Sequence, residues 1–270
     1  MGARRGFLTS ESMALRTLDL TDRVAVVIGG TSGLGRAIAL ALAEAGAHVV
    51  ASSRRREMVD RVANEIEALE RGTVRQTVDA TDRASIDALR DATLRKFGCV
   101  EILVNASGKT IKKPAVEFTE SEWRDILDAN VTSALRGCQS FYEPLKRSGR
   151  GRVINIASLS SFRGCFQVAP YGSAKAALVS LTQTLAVEWA KDAIHVNAIA
   201  PGVFPTAFNA EFLNGTDRGQ EFLTRTPLRR FGRPEEVGGV AVLLASDAAS
   251  FITGETIAVD GGFLASGVNV

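Results

Sequence analysis

Apolar residues fall into short, nearly unbroken runs separated by longer stretches in which they recur every three or four positions. The short runs lie at 24–28, 48–51, 74–78, 101–104, 152–157, 195–199 and 256–259. Continuous rather than alternating hydrophobicity predicts strands buried on both faces of a parallel sheet. The periodic stretches at 33–45, 55–71, 82–96, 120–147, 172–190 and 234–246 predict helices. Strand and helix alternate along the chain, which predicts an α/β fold. It is a doubly wound, Rossmann-type parallel sheet of about seven strands with helices on both faces. No repeat or linker interrupts this rhythm. Residues 18–270 are therefore expected to form one domain, and 1–17, basic and polar, a loose leader.

Composition narrows the partners. A chain of 270 residues can bury a sizeable core without staples. A net charge of +2 gives no electrostatic reason to expect nucleic acid. The cysteines, Cys99, Cys138 and Cys165, are odd in number and lack metal-ligand spacing, so reduced thiols and a cytoplasmic setting are expected. Only two histidines occur, His48 and His195, and no metal site is expected. The longest apolar helical stretch, 37–43, ends at Glu44, far short of the ~20 residues a bilayer needs.

Ligands of doubly wound sheets bind beyond the carboxyl ends of the strands, and the unusual residues stand there. After 24–28 comes Gly29-Gly30-Thr31-Ser32-Gly33-Leu34-Gly35, leading into a helix. Strand, glycine turn and helix N-terminus together make an anion site suited to a pyrophosphate. Gly30 and Gly35 have the spacing of a nucleotide-triphosphate loop, but Arg36-Ala37 stands where Lys and Ser/Thr are required. The second strand ends Ser52-Ser53-Arg54-Arg55-Arg56, with no carboxylate to hold a ribose 2′-hydroxyl. Cations at a helix start oppose the macrodipole. A 2′-phosphate on Ser53 and Arg54 would relieve that conflict, so NADP(H) is expected in preference to NAD(H). Ser158 follows the run at 152–157, and Tyr171 and Lys175 share one helical face. A phenol with an ordinary pKa near ~10 is a poor base at neutral pH, and a neighbouring ammonium lowers that value.

With these motifs in place, the sequence from residue 18 onward resembles the short-chain dehydrogenase/reductase family. The family's Thr-Gly-x-x-x-Gly-x-Gly stands as Ile28-Gly29-Gly30-Thr31-Ser32-Gly33-Leu34-Gly35, with Ile28 replacing the threonine. Its Asn-Asn-Ala-Gly stands as Asn105-Ala106-Ser107-Gly108. Asp79-Ala80 matches the adenine-contacting segment, and Asn197 to Gly202 and Asp260-Gly261-Gly262 match the closing motifs. Asn130, Ser158, Tyr171 and Lys175 match the catalytic set.

The resemblance implies an oxidoreductase that interconverts a secondary alcohol and a ketone by hydride transfer. Tyr171 would move the proton, Lys175 would lower its pKa and bond the nicotinamide ribose, Ser158 would polarise the carbonyl, and Asn130 would hold a water. It further implies cofactor contacts from Gly29, Thr31, Ser32, Gly33, Leu34, Gly35, Ser53, Arg54, Asp79, Ala80, Asn105, Ala106 and Ser107, besides Tyr171 and Lys175. Pro201, Gly202, Val203 and Thr206 would cover the nicotinamide end. A homotetramer through 120–147, 172–190 and the C-terminal segment is also implied.

The substrate is less constrained. The segment 204–228 is expected to form a lid, with Phe204, Pro205, Phe208, Phe212, Leu213 and Phe222 as its apolar residues and Asn209, Glu211, Asn214 and Arg225 among them. Lys109, Lys112 and Lys113 could attract a carboxylate. The stretches 154–162 and 186–189 are similar to family members acting on gluconate or 2-deoxygluconate, which favours a sugar acid or polyol. The alternatives are a 3-oxoacyl-thioester and, more remotely, a non-catalytic NADP(H) sensor. A sensor would be expected to lose Tyr171 or Lys175, and both are present.

Overall fold

The computed structural model describes residues 17–206, 213 and 215–267. The leader up to residue 16 and the lid residues Phe208, Asn209, Glu211, Phe212 and Asn214 lie outside the described residues. Six strands are described: β1 (Val24–Ile28), β2 (His48–Ser52), β3 (Ile102–Asn105), β4 (Gly151–Ile156), β5 (Ile194–Pro201) and β6 (Thr256–Val259). They form one parallel sheet in the order β2-β1-β3-β4-β5-β6.

The continuous apolar runs have the expected cause. In β1, Ala25 and Val27 pack on one face with Ile38 and Leu42 of α1 (Gly33–Glu44) and Ala241 and Leu244 of α8 (Gly238–Ala245). Val24, Val26 and Ile28 point the other way. They pack with Leu89 of α3 (Arg83–Phe97), Phe141 of α5 (Ser133–Ser148) and Leu185 of α6 (Ala169–Trp189). Both faces are covered, so no position of the strand can be polar. The remaining helices are α2 (Arg56–Ala68), α4 (Glu120–Leu127) and α7 (Asp217–Arg225).

Two expectations are corrected. The run at 74–78 is not a strand, so the described sheet has six strands rather than seven. It lies along β2 but is pinned only at its ends, where Val49 N–H donates to Gly72 O at 3.0 Å and Val78 N–H donates to Ser53 O at 2.9 Å. Between them side chains take the carbonyls a ladder would use. The Ser52 hydroxyl donates to Gln76 O, and the Arg56 guanidinium donates to Arg75 O at 3.2 Å.

The helix expected over 120–147 is broken into α4 and α5 by a π-helical turn, Asp128–Thr132. A wider turn leaves carbonyls without their usual partners. Short polar side chains supply donors: Asn130 Nδ2 to Ile126 O and Ser133 Oγ to Ala129 O, each at 2.8 Å. Helix α6 starts three residues before the expected 172, with Pro170 in its first turn, where a missing N–H costs nothing.

The switch in strand order falls between β1 and β3, the crevice where such sheets bind ligands. The strand ends are level there. Ile28 pairs with Asn105, Asn105 with Asn155, and Ile156 with Ile199.

Candidate active site

A cleft of about 550 Å3 opens above these strand ends, a size suited to a small-molecule site. Its floor is the turn after β1. Gly29 has φ +84°, and a Cβ there would lie 2.7 Å from Ser107 N. A Cβ on Gly35 would lie 2.1 Å from Gly29 O, so only glycine lets α1 start this close to the turn. Ser32, the N-cap of α1, makes no side-chain cap and the first turn carries no acid. The helix therefore presents unsatisfied N–H groups toward the cleft, as an anion site requires. Thr31, Ser32, Gly33 and Leu34 line it, and Thr206 stands across from Gly33, where a Cβ would meet its Cγ2 at 3.4 Å.

The acid/base residues converge on the opposite wall. The end of β4 delivers Ser158, and α6 delivers Tyr171 in its first turn and Lys175 one turn later. Ser158 Oγ accepts from Ser160 N–H at 3.1 Å and also hydrogen-bonds with Tyr171. Burial raises the Tyr171 phenol above its ordinary value, and the Ser158 bond pulls against that rise. Lys175 is buried. Its Nζ lies 5.7 Å from the Tyr171 ring centroid and donates to Ile156 O at 2.7 Å. Burial pushes the amine down to about 8.

Asn130 is reached from α4 through the π turn. Its amide donates to Lys109 O and Ile126 O, both at 2.8 Å, while its Oδ1 is buried and unpaired. A Cβ on Gly108 would lie 2.6 Å from that oxygen and 3.7 Å from Lys175 Nζ. The bare glycine thus keeps open a corridor between the amide and the amine, suited to the water expected there.

The end of β2 forms another part of the cleft. Ser53 accepts from the Thr31 hydroxyl at 2.6 Å, which ties the second strand end to the first turn. Arg54 is exposed at the rim, and α2 begins behind it with no side-chain cap on Arg55. A side cleft of about 350 Å3 brings Ser53 and Arg54 together with Asp79, Ala80 and Ser107. Hydrogen bonds from Thr81 hold the Asp79 carboxyl below its usual value, and Arg54 adds to the effect.

Of the other expected residues, Ala106, Pro201, Gly202 and Val203 line the main cleft. Asn105 is placed differently, buried in the sheet with Nδ2 donating to Asn155 Oδ1 at 2.9 Å. Asn155 Nδ2 in turn donates to Thr182 at 2.9 Å, so Asn105 braces β3, β4 and α6 from beneath the site.

The three loop lysines separate in space. Lys113 pairs with Glu122 at 2.5 Å and Lys109 with Asp125 at 3.4 Å, while Lys112 and Lys109 line the cleft. Sequence reading missed Arg218, which enters the cleft from the first turn of α7. The signal was Thr216-Asp217: the Thr216 hydroxyl caps α7 by accepting from Gly219 N–H at 3.0 Å. Arg225 pairs with Glu221 on the outside of that helix. No group of three or more potential metal ligands occurs among the described residues, and none of their helices is long and apolar enough to cross a membrane.

Comparison with known proteins agrees with this geometry. Residues 29–264 match a family model described as enoyl-(acyl carrier protein) reductase, of the short-chain alcohol dehydrogenase type. The chain is 39% identical over 256 residues to 2-dehydro-3-deoxy-D-gluconate 5-dehydrogenase of Dickeya dadantii, covering 94% of this chain and 100% of that protein. It is 35% identical over 248 residues to an NAD-dependent glycerol dehydrogenase of Listeria innocua, covering 92% and 96%. Among solved structures it is similar to a gluconate 5-dehydrogenase from Burkholderia cenocepacia in complex with NADP and tartrate. That similarity has a TM-score of 0.90 and 30% identity, over 94% of this chain and 99% of that one.

Proposed function

Because the chain belongs to the short-chain dehydrogenase/reductase family, and is therefore an oxidoreductase acting on CH–OH groups, we propose that it interconverts a sugar-acid alcohol and its ketone with NADP(H). The observation that carries this reading is the charge of the cleft. Arg54, Arg55, Lys109, Lys112, Lys175 and Arg218 line it, and no carboxylate does among the described residues. A cleft of one sign concentrates ligands of the other, and a phosphorylated dinucleotide and a sugar acid are both anions. The residues fit the cofactor: the glycine cradle at Gly29 and Gly35 would take the pyrophosphate, and Ser53 with Arg54 a 2′-phosphate. When bound, the nicotinamide supplies or accepts the hydride.

The protein's own residues then handle the proton. Tyr171 donates it to the carbonyl oxygen in reduction and removes it in oxidation, while Ser158, already bonded to Tyr171, orients that oxygen. Lys175 stabilises the phenolate by its charge, and Asn130 Oδ1 anchors a water that connects Lys175 to solvent through the space over Gly108. Self-association belongs to the same reading, supported by the exposed apolar Val187 on α6.

The test is NADPH consumption, with NADH as control, against 5-ketogluconate, a simple ketose and an acetoacetyl thioester. Turnover of the sugar acid with NADPH is expected. Turnover of the thioester alone would overturn the substrate assignment.

Arg54→Ala should raise the KM for NADPH on the order of 10- to 100-fold, the loss of one charge-assisted hydrogen bond. The KM for NADH should hardly change. Equal effects on the two cofactors would remove Arg54 from phosphate recognition.

A further inference from the structure

We propose that Thr31 is a positioning residue that selects NADP(H) over NAD(H) by holding the Ser53 hydroxyl and turning its proton outward, an inference that rests on the NADP(H) reading above. Thr31 sits in the glycine turn and is 1% exposed. A hydroxyl both donates and accepts, and a buried one whose proton has no acceptor is costly. Among the described residues, the hydrogen-bond partner of Thr31 Oγ1 is Ser53 Oγ, at 2.6 Å. Thr31 therefore donates and Ser53 accepts. Ser53 is half-buried and lines both the main and the side cleft, so its own proton is left for a ligand.

The backbone keeps Ser53 in that attitude. Ser53 O accepts from Val78 N–H at 2.9 Å, and Ser52 O accepts from Gly29 and Gly30 N–H at 2.8 and 3.2 Å. The end of β2 is thus pinned on one side to the segment before Asp79 and on the other to the glycine turn. The preceding serine is the contrast, because Ser52 is buried and gives its proton to Gln76 O inside the protein. A phosphate oxygen is an acceptor and matches a hydroxyl whose proton points toward it. A ribose 2′-hydroxyl donates as well as accepts, so it meets Ser53 in either orientation and gains little from the order of the pair. In a chain of hydroxyls each bond polarises the next, and Thr31 thereby strengthens the donation from Ser53 to an anion. Arg54, exposed at the rim, adds charge, whereas Thr31 and Ser53 add direction.

The experiment titrates NADP+ and NAD+ calorimetrically into wild type, Thr31→Val, Thr31→Ser, Ser53→Ala and the Thr31→Val/Ser53→Ala double variant. Wild type should prefer NADP+. Ser53→Ala should weaken NADP+ binding about 10-fold. Valine keeps the shape of Thr31 but releases Ser53 to other rotamers, so Thr31→Val should weaken NADP+ about 5-fold and leave NAD+ within about twofold. Thr31→Ser keeps the hydroxyl and should recover most of the loss. The double variant should bind NADP+ no more weakly than Ser53→Ala alone, because Thr31 has nothing left to act through. Thermal unfolding without cofactor reads the same bond. Ser53→Ala leaves the Thr31 proton without its acceptor and should lower Tm by several degrees, and adding Thr31→Val should recover most of that loss. Equal loss of both cofactors in Thr31→Val, or additive losses in the double variant, would overturn the role of Thr31 and leave the NADP(H) reading standing. A wild type that binds NAD+ as tightly as NADP+ would overturn the NADP(H) reading and the role of Thr31 with it.

Discussion

Tyr171→Phe is expected to lower turnover on the order of 10³-fold, the usual worth of a positioned proton-transfer group. NADPH affinity should stay within about threefold, because the hydroxyl acts on the reacting oxygen rather than on cofactor binding. The substitution removes one oxygen and keeps the ring. Ser158 retains its hydrogen bond from Ser160 N–H at 3.1 Å, so the strand end that orients the substrate should hold its shape. Steady-state rates with NADPH, alongside a fluorescence titration of cofactor, separate the two effects. Activity within tenfold of wild type would remove Tyr171 as the acid/base.

Lys175→Met should impair turnover to a similar order, on the order of 10²- to 10³-fold, by taking away the charge that stabilises the phenolate. It should also make the protein more stable. A buried amine with its pKa at about 8 instead of 10.5 binds its proton more weakly in the folded chain than in the unfolded one. Below pH 8 this costs the native state on the order of 3 kcal/mol. Between about 8 and 10.5 the unfolded chain keeps the proton and the folded chain does not, so wild-type stability rises with pH through that window. Methionine fills the space without the charge but leaves Ile156 O without its donor, which returns about 1 kcal/mol. Net, thermal unfolding of the variant at pH 7 should shift upward by several degrees, and the gain should vanish toward pH 10.5. A variant destabilised at pH 7 would refute this account of the buried amine. Loss of activity with a gain in stability is the signature of a group held for chemistry at the expense of the fold.

The sheet and the glycine turn were legible because each rests on local chemistry. A continuous apolar run such as 24–28 has nowhere to go but between two helical layers, and Gly29 and Gly35 stand where any Cβ would strike backbone. The pairing of Tyr171 with Lys175 was equally legible from spacing, since a helix places i and i+4 on one face, and Ser158 was legible from its place after the run at 152–157.

Features that depend on distant partners were not. The run at 74–78 has the composition of a strand, and it fails because Ser52 and Arg56 side chains occupy the carbonyls it would pair with. Asn105 has the right place in the motif for a cofactor contact, and its direction is decided by Asn155 on the next strand. Lys109 and Lys113 look equivalent in sequence and are sorted by Asp125 and Glu122. Arg218 reaches the cleft because of how α7 docks on Phe166, a contact 52 residues away in the chain.

The π turn at Asp128–Thr132 has a further consequence, for length rather than composition. Each residue of an α-helix advances the chain by about 100° and 1.5 Å. A π turn holds one residue more than an α turn, so excising one between 128 and 132 would let the ladder close as an ordinary α-helix with α5 in nearly its present phase relative to α4, whereas inserting a further residue would swing everything after it by roughly that angle. An insertion would turn the face of α5 that carries Ala134, Cys138, Phe141 and Leu145 away from the core, while an excision would keep that face buried and cost Asn130 its grip on Ile126 O and Lys109 O. This stretch therefore behaves like a reading frame. Its letters can be varied one at a time, but its count is fixed jointly by the hydrophobic interior on one side and the amide facing Lys175 on the other.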